Sequence, residues 1–114
     1  MSKHPHIEAE IRFLSTDEGG RETPVKSGYR GQFHYKGEKA GWDAVQEFTG
    51  EEWVTPGETV TARLVFASEE PHSKRLAEGL SFQIQEGGKV VGLGVVKKVL
   101  ESLCLSGDEG DKAT

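Results

Sequence analysis

Three cations sit in one short stretch of an acidic chain: Arg21, Lys26 and Arg30 in DEGGRETPVKSGYRGQF, residues 17–33. Arginine and lysine in a loop bearing glycine and proline are the residue types that hold phosphate or carboxylate, arginine as a planar fork and lysine as a point charge. Loops on a rigid scaffold are where such groups act; the competing reading is a crossover loop whose charges only keep the surface wet. Other combinations offer less. Glu51-Glu52 and Glu69-Glu70 are paired carboxylates, but general acid–base work needs a pKa moved by burial or by a neighbour, and both pairs lie in polar surroundings. His4 and His6 flank Pro5, His34 and His72 stand far from them, and Cys104 lies in the C-terminal stretch; none of these spacings is that of a tetrahedral metal site. There is no GxxxxGKS/T loop, and Gly92-Leu93-Gly94 sits inside an apolar run with no third glycine at the dinucleotide-binding offset. No nucleophile elbow is present. The chain is expected to be a non-enzyme with no metal and no cofactor.

Length and composition bound the elements that position these residues. At 114 residues, one domain with a modest core is expected. Apolar residues make up 34% and glycine reaches 15 residues, which favours a turn-rich β fold over helices. A net charge of −5 disfavours a general nucleic-acid coat, whose affinity needs a basic field. One cysteine excludes an intramolecular disulfide, no signal sequence is visible at the N-terminus, and no run is long enough to span a membrane. A cytoplasmic setting is expected.

Alternation of apolar and polar residues marks the strands. His6 to Leu14 places Ile7, Ala9, Ile11 and Phe13 on one face. Gly28 to Tyr35 aligns Tyr29, Gly31, Phe33 and Tyr35, and Trp42 to Phe48 forms a weaker third strand after the polar turn at 36–41. Thr55-Pro56-Gly57-Glu58 reads as a turn, with proline presetting the first central angle and glycine supplying the second. Thr59 to Ala67 turns Val60, Ala62, Leu64 and Phe66 inward, and a polar excursion follows from Ser68 to Glu78. Leu80, Phe82 and Ile84 alternate, Glu86-Gly87-Gly88-Lys89 turns, and Val90 to Leu100 closes the pattern, with Gly92 and Gly94 marking a bend or a close backbone approach. Residues 101–114 are acidic and polar around Leu103 and Leu105 and are expected to be a disordered tail. About six antiparallel strands imply a small barrel or sandwich.

Three collinear blocks resemble one family. Leu14-Ser15 followed by an acidic-Glu-Gly-Gly-Arg-x-Thr loop and Gly28-Tyr29-Arg30-Gly31-Gln32-Phe33 is similar to the opening of the C-terminal β-barrel domain (domain 3) of elongation factor Tu. Trp53-Val54-Thr55-Pro56-Gly57-Glu58 resembles its Met-x-x-Pro-Gly-Asp turn with the first position changed. Glu78 to Phe82, Glu86-Gly87-Gly88 and Val91 to Leu100 resemble its closing hairpin. The resemblance implies an all-β fold, a closed six-stranded antiparallel Greek-key barrel over residues 1–100, here expected as a stand-alone protein without a GTPase domain.

The family's domain touches the backbone of the tRNA T stem, meets the nucleotide-exchange factor and packs against the GTPase domain. Carried over by matching position, the resemblance implies RNA contacts at Arg21, Gln32, Glu86 and Gly87. Tyr29, Arg30 and Leu93 are implied as partner-facing. The sequence departs from the family at Glu22, where histidine is frequent, at Gly31 in place of proline, and at 34–39, where the RNA-contacting threonine has no counterpart. Leu93 replaces a small residue on the side that faces the GTPase domain, and the 68–77 connection is longer. The first expectation is therefore a module that binds a protein, with translation machinery the first place to look and self-association open to it. The second is direct binding of aminoacyl-tRNA or another structured RNA. The third is a scaffold with a new role in the 68–77 loop. If the tail takes no part in the core, removing residues 101–114 leaves the Tm unchanged in a thermal melt; a lowered Tm would show that it packs.

Overall fold

The computed structural model describes residues 5–68, 72 and 74–100. The expectation for residues 101–114 and part of that for the 68–77 loop lie outside the described residues. Six strands close into an antiparallel barrel: β1 (Ile7–Phe13), β3 (Gln32–Tyr35), β4 (Trp42–Phe48), β6 (Thr59–Phe66), β7 (Ser81–Glu86) and β8 (Lys89–Val99), in the spatial order β1-β6-β4-β3-β7-β8 with β8 pairing back onto β1. Three successive barrel strands, β3, β4 and β6, lie side by side, and β7 returns to lie beside β3. That is the Greek-key connection. A two-stranded ribbon, β2 (Val25–Lys26) with β5 (Trp53–Val54), stands apart from the barrel sheet.

The inward positions of each strand supply the core. Ile7, Ala9, Ile11 and Phe13 of β1 face Val60, Ala62, Leu64 and Phe66 of β6, all buried. Phe33 stacks on Phe82 at 4.5 Å between ring centroids and meets Phe66 edge-on at 5.0 Å. The short β3 departs from the expected Gly28–Tyr35 strand. Its first half leaves the sheet and keeps only a bridge to β4, in which Gly28 N donates to the Gln46 carbonyl and Gln46 N to the Tyr29 carbonyl, both at 2.8 Å. There Gln46 is fully buried, and its amide donates to the Gly31 carbonyl, replacing the ladder that a regular strand would have made.

Two glycines explain themselves by contact. A Cβ on Gly94 would lie 2.2 Å from the Phe82 ring, and one on Gly92 would come within 3.3 Å of Ile11. The register shifts at Glu8/Ala9 and Ile84/Gln85 add the local twist that closure requires. The turns follow their sequence signals. Glu58 N donates to Thr55 O across Pro56-Gly57, where Gly57 has φ +97. Gly87 and Gly88 both have positive φ between the paired Glu86 and Lys89, the two-residue hairpin that matches strand twist.

The far mouth of the barrel is closed by two histidines. His6 Nδ1 accepts from the Phe66 amide at 3.0 Å. His72 is buried, stacks on Phe66 at 4.0 Å and shares a 2.7 Å hydrogen bond with the Tyr35 hydroxyl. Burial, helped by the positive field of Arg75 and then His6, pushes the His72 pKa down to about 4, and burial pushes the Tyr35 phenol up to about 12. A histidine held neutral in the fold and free to charge in the unfolded chain stabilises above its unfolded pKa, near 6.5. That contribution is lost as pH falls from there towards 4.

Two measurements check this packing. Gly94→Ala should lower stability by about 1–3 kcal/mol in urea denaturation, because the Phe82 ring has Phe33 behind it and nowhere to retreat; an unchanged midpoint would refute the close approach. His72→Phe should flatten the fall of stability between pH 6.5 and 4, whereas an identical pH profile would show that His72 is not held neutral.

Candidate functional site

Arg21 reaches its place through a chain of local constraints. β1 ends at Phe13, and Ser15 caps a single 3-10 turn, Thr16–Glu18, through reciprocal bonds. The Ser15 hydroxyl accepts from Glu18 N, and the Glu18 carboxylate accepts from Ser15 N at 2.8 Å. Glu18 also accepts from Arg12 Nη1 at 2.9 Å, and these bonds, Arg12 first, hold its carboxyl down at about 2. Gly19 leaves the turn at φ +93. Gly20 then runs so close to the Leu14 carbonyl that a Cβ would sit 2.2 Å from the oxygen. Thr16 Oγ1 donates to the Arg21 carbonyl at 2.9 Å and fixes the residue's backbone.

The guanidinium is itself clamped. Nη1 donates to Glu86 Oε2 at 2.6 Å, Nη2 to Thr23 Oγ1 at 2.9 Å and Nε to the Thr23 carbonyl at 3.2 Å. These use three of the five N–H groups a guanidinium carries, and the others have no partner among the described residues. Its carbon stands 5.5 Å from the centre of the Tyr29 ring, whose buried hydroxyl lies near Arg21 and Glu86 but makes no well-formed hydrogen bond among the described residues. Burial first, then the Glu86 charge, raises the Tyr29 pKa, against the opposing pull of Arg21. Lys89 Nζ donates to the Gly20 carbonyl at 3.2 Å and ties the β7–β8 hairpin to the same loop.

One rim of the barrel therefore collects residues distant in sequence. Glu86 touches Arg21 directly and Gly87 follows it in the exposed turn, whereas Gln32, paired through its backbone with Gln85, lays its side chain beside Gly41 in a separate groove with Trp42, Asp43 and His72. The charges on this rim nearly balance, Arg21 and Lys89 against Glu86 and Glu22. An arginine so paired is a rigid donor but a weak attractor of polyanions, since the long-range field has been cancelled nearby.

The other candidate residues are placed differently. Tyr29 is half-buried, edge-on to Phe13, while Arg30 is exposed beside a shallow groove with Asp43, Val45 and Val65. Leu93 stands on the outer wall, 41% exposed, opposite Gln83 on β7 and Arg12 on β1. It borders a groove of about 270 Å³ with Lys36, Ser81, Phe82, Gln83, Gly94 and Val95.

Sequence reasoning passed over Thr23 and Lys89, which hold Arg21 and its loop. It also passed over the capping box that Ser15-Thr16-Asp17-Glu18 spells in plain residues. Among the described residues, no group of three or more histidine, cysteine or carboxylate side chains is arranged to hold a metal ion, and no helix is long and apolar enough to cross a membrane. The model of the elongation factor Tu C-terminal domain matches residues 1–100, the whole barrel with its ribbon and its Arg21 rim, and this chain belongs to that family of non-catalytic translation-factor binding domains.

Proposed function

We propose that the chain is a binding module that engages a protein partner in the cytoplasm, with translation machinery the first place to look. The observation that supports this most is Leu93, a leucine 41% exposed on the barrel's outer wall beside a groove that Val95 also borders. The charge balance at the Arg21 rim supports the same ordering, because binding driven by phosphates needs net positive charge.

A second reading is contact with RNA backbone at that rim, favoured by the pairing of Arg21 with Glu86 beside the exposed Gly87 turn. In this reading the unengaged donors of Arg21 and the Gly87 amide meet phosphate or sugar oxygens and read shape rather than sequence.

The readings separate experimentally. Leu93→Lys should abolish retention of the partner that the wild-type protein captures, and should shift any self-associated species to monomer in sedimentation. A variant that behaves as wild type in both would remove the Leu93 wall. For the second reading, Arg21→Ala should lower RNA affinity and reduce the salt slope by about one; unchanged binding would remove the phosphate role.

A further inference from the structure

The β2–β5 ribbon holds a side chain that neither reading uses. Its inward residues, Val25 and Val54, are 4% and 2% exposed, so its outward face is fixed by alternation. That face pairs Lys26 with Trp53. Trp53 is 55% exposed, the most exposed large apolar side chain among the described residues. Its support is rigid. Ser27 N donates to the Glu52 carbonyl at 2.8 Å, and Gly57 N donates to the Phe13 carbonyl at 2.9 Å, locking the turn that follows. Turning the indole inward would turn Val54 out. The apolar surface of Trp53 is thus left in water, and the gain from covering it is open to a partner.

The chemistry around the ring says which partner. Lys26 Nζ lies 5.8 Å from the ring centre, so the negative face of the indole already attracts one cation. Glu52 sits 3.6 Å from Lys26 with both side chains largely in solvent, and the exposed Glu51 precedes it with no ion pair among the described residues. Indole with two adjacent carboxylates, in a chain of net charge −5, is complementary to a guanidinium, which stacks flat on an aromatic face while its edge bonds a carboxylate. A second cation on the opposite face of the ring lies roughly 9–10 Å from Lys26, about a Debye length at physiological salt, so repulsion between them is largely screened. Phosphate is repelled by the same carboxylates.

We propose that the Trp53 face of the ribbon docks an arginine-bearing segment of a protein partner, with guanidinium on indole and carboxylate at Glu51 or Glu52. The proposal rests on the protein-binding reading but names a different surface from Leu93.

The test is an NMR titration of the labelled full chain with a synthetic arginine-rich decapeptide, a glutamate-rich decapeptide and an oligouridine. The two tryptophans give separate indole N–H signals, assigned with Trp53→Phe. The Trp53 signal should move saturably with the arginine peptide alone, while that of half-buried Trp42 stays in place. Trp53→Ala should weaken binding about fivefold or more, and Glu51→Gln with Glu52→Gln should weaken it and flatten its salt dependence. Affinity unchanged in Trp53→Ala would overturn the proposal in favour of diffuse charge attraction, a signal that moves with oligouridine would overturn it in favour of nucleic acid, and a signal that moves with no probe would remove the surface. Any of these failures leaves the Leu93 reading to its own assay, since Leu93→Lys does not touch the ribbon.

Discussion

Closure of the barrel through β1, which pairs with β6 on one edge and β8 on the other, is the constraint on which the rest of the structure depends. A sheet of this length with open edges would expose unpaired backbone groups, and closing it removes them. Closure in turn requires β8 to bend tightly against β7, which is why Gly94 lies under the Phe82 ring and Gly92 against Ile11. The same bend sets the β7–β8 hairpin at one rim, so that Glu86 arrives opposite Arg21. The Arg21–Glu86 rim is thus a consequence of how the last hairpin seals the barrel, not an addition to it.

At that rim, local order and net charge pull in different directions. Arg21 is held by Thr23, Glu86 and the Tyr29 ring, with little entropy left to lose on binding. Yet its charge is answered by Glu86, and Glu22 follows in the chain. A clamp of this kind suits a ligand presented by a larger assembly better than one captured from solution by electrostatic steering. The exposed Leu93 and the Trp53 ribbon lie away from that rim, so the two proposed protein-binding surfaces are separate from it.

Much of the fold was legible in the sequence because it rests on alternation. Ile7 to Phe13 and Thr59 to Phe66 have the period of a half-buried strand and form one, and Pro56-Gly57 and Gly87-Gly88 turn where their dihedral preferences require. What escaped was set by tertiary contact. Nothing local says that Val25-Lys26 will pair with Trp53-Val54. Nothing local says that His72, in a polar stretch, will be buried on Phe66, or that Gln46 will be drawn inside to bond the Gly31 carbonyl. At the site, the identities of Arg21 and Glu86 came from matched motifs, whereas their 2.6 Å pairing, which changes the electrostatic reading, is a long-range fact.

The proposed ordering, protein before RNA, rests on the charge balance of the Arg21 rim. The most direct measurement is an amide-shift titration of the labelled full chain with aminoacyl-tRNA at low and then physiological salt. Small shifts confined to Arg21, Gln32 and Gly87 are expected at low salt and vanish at physiological salt. Saturable binding that persists at physiological salt would contradict that ordering and make RNA the primary ligand.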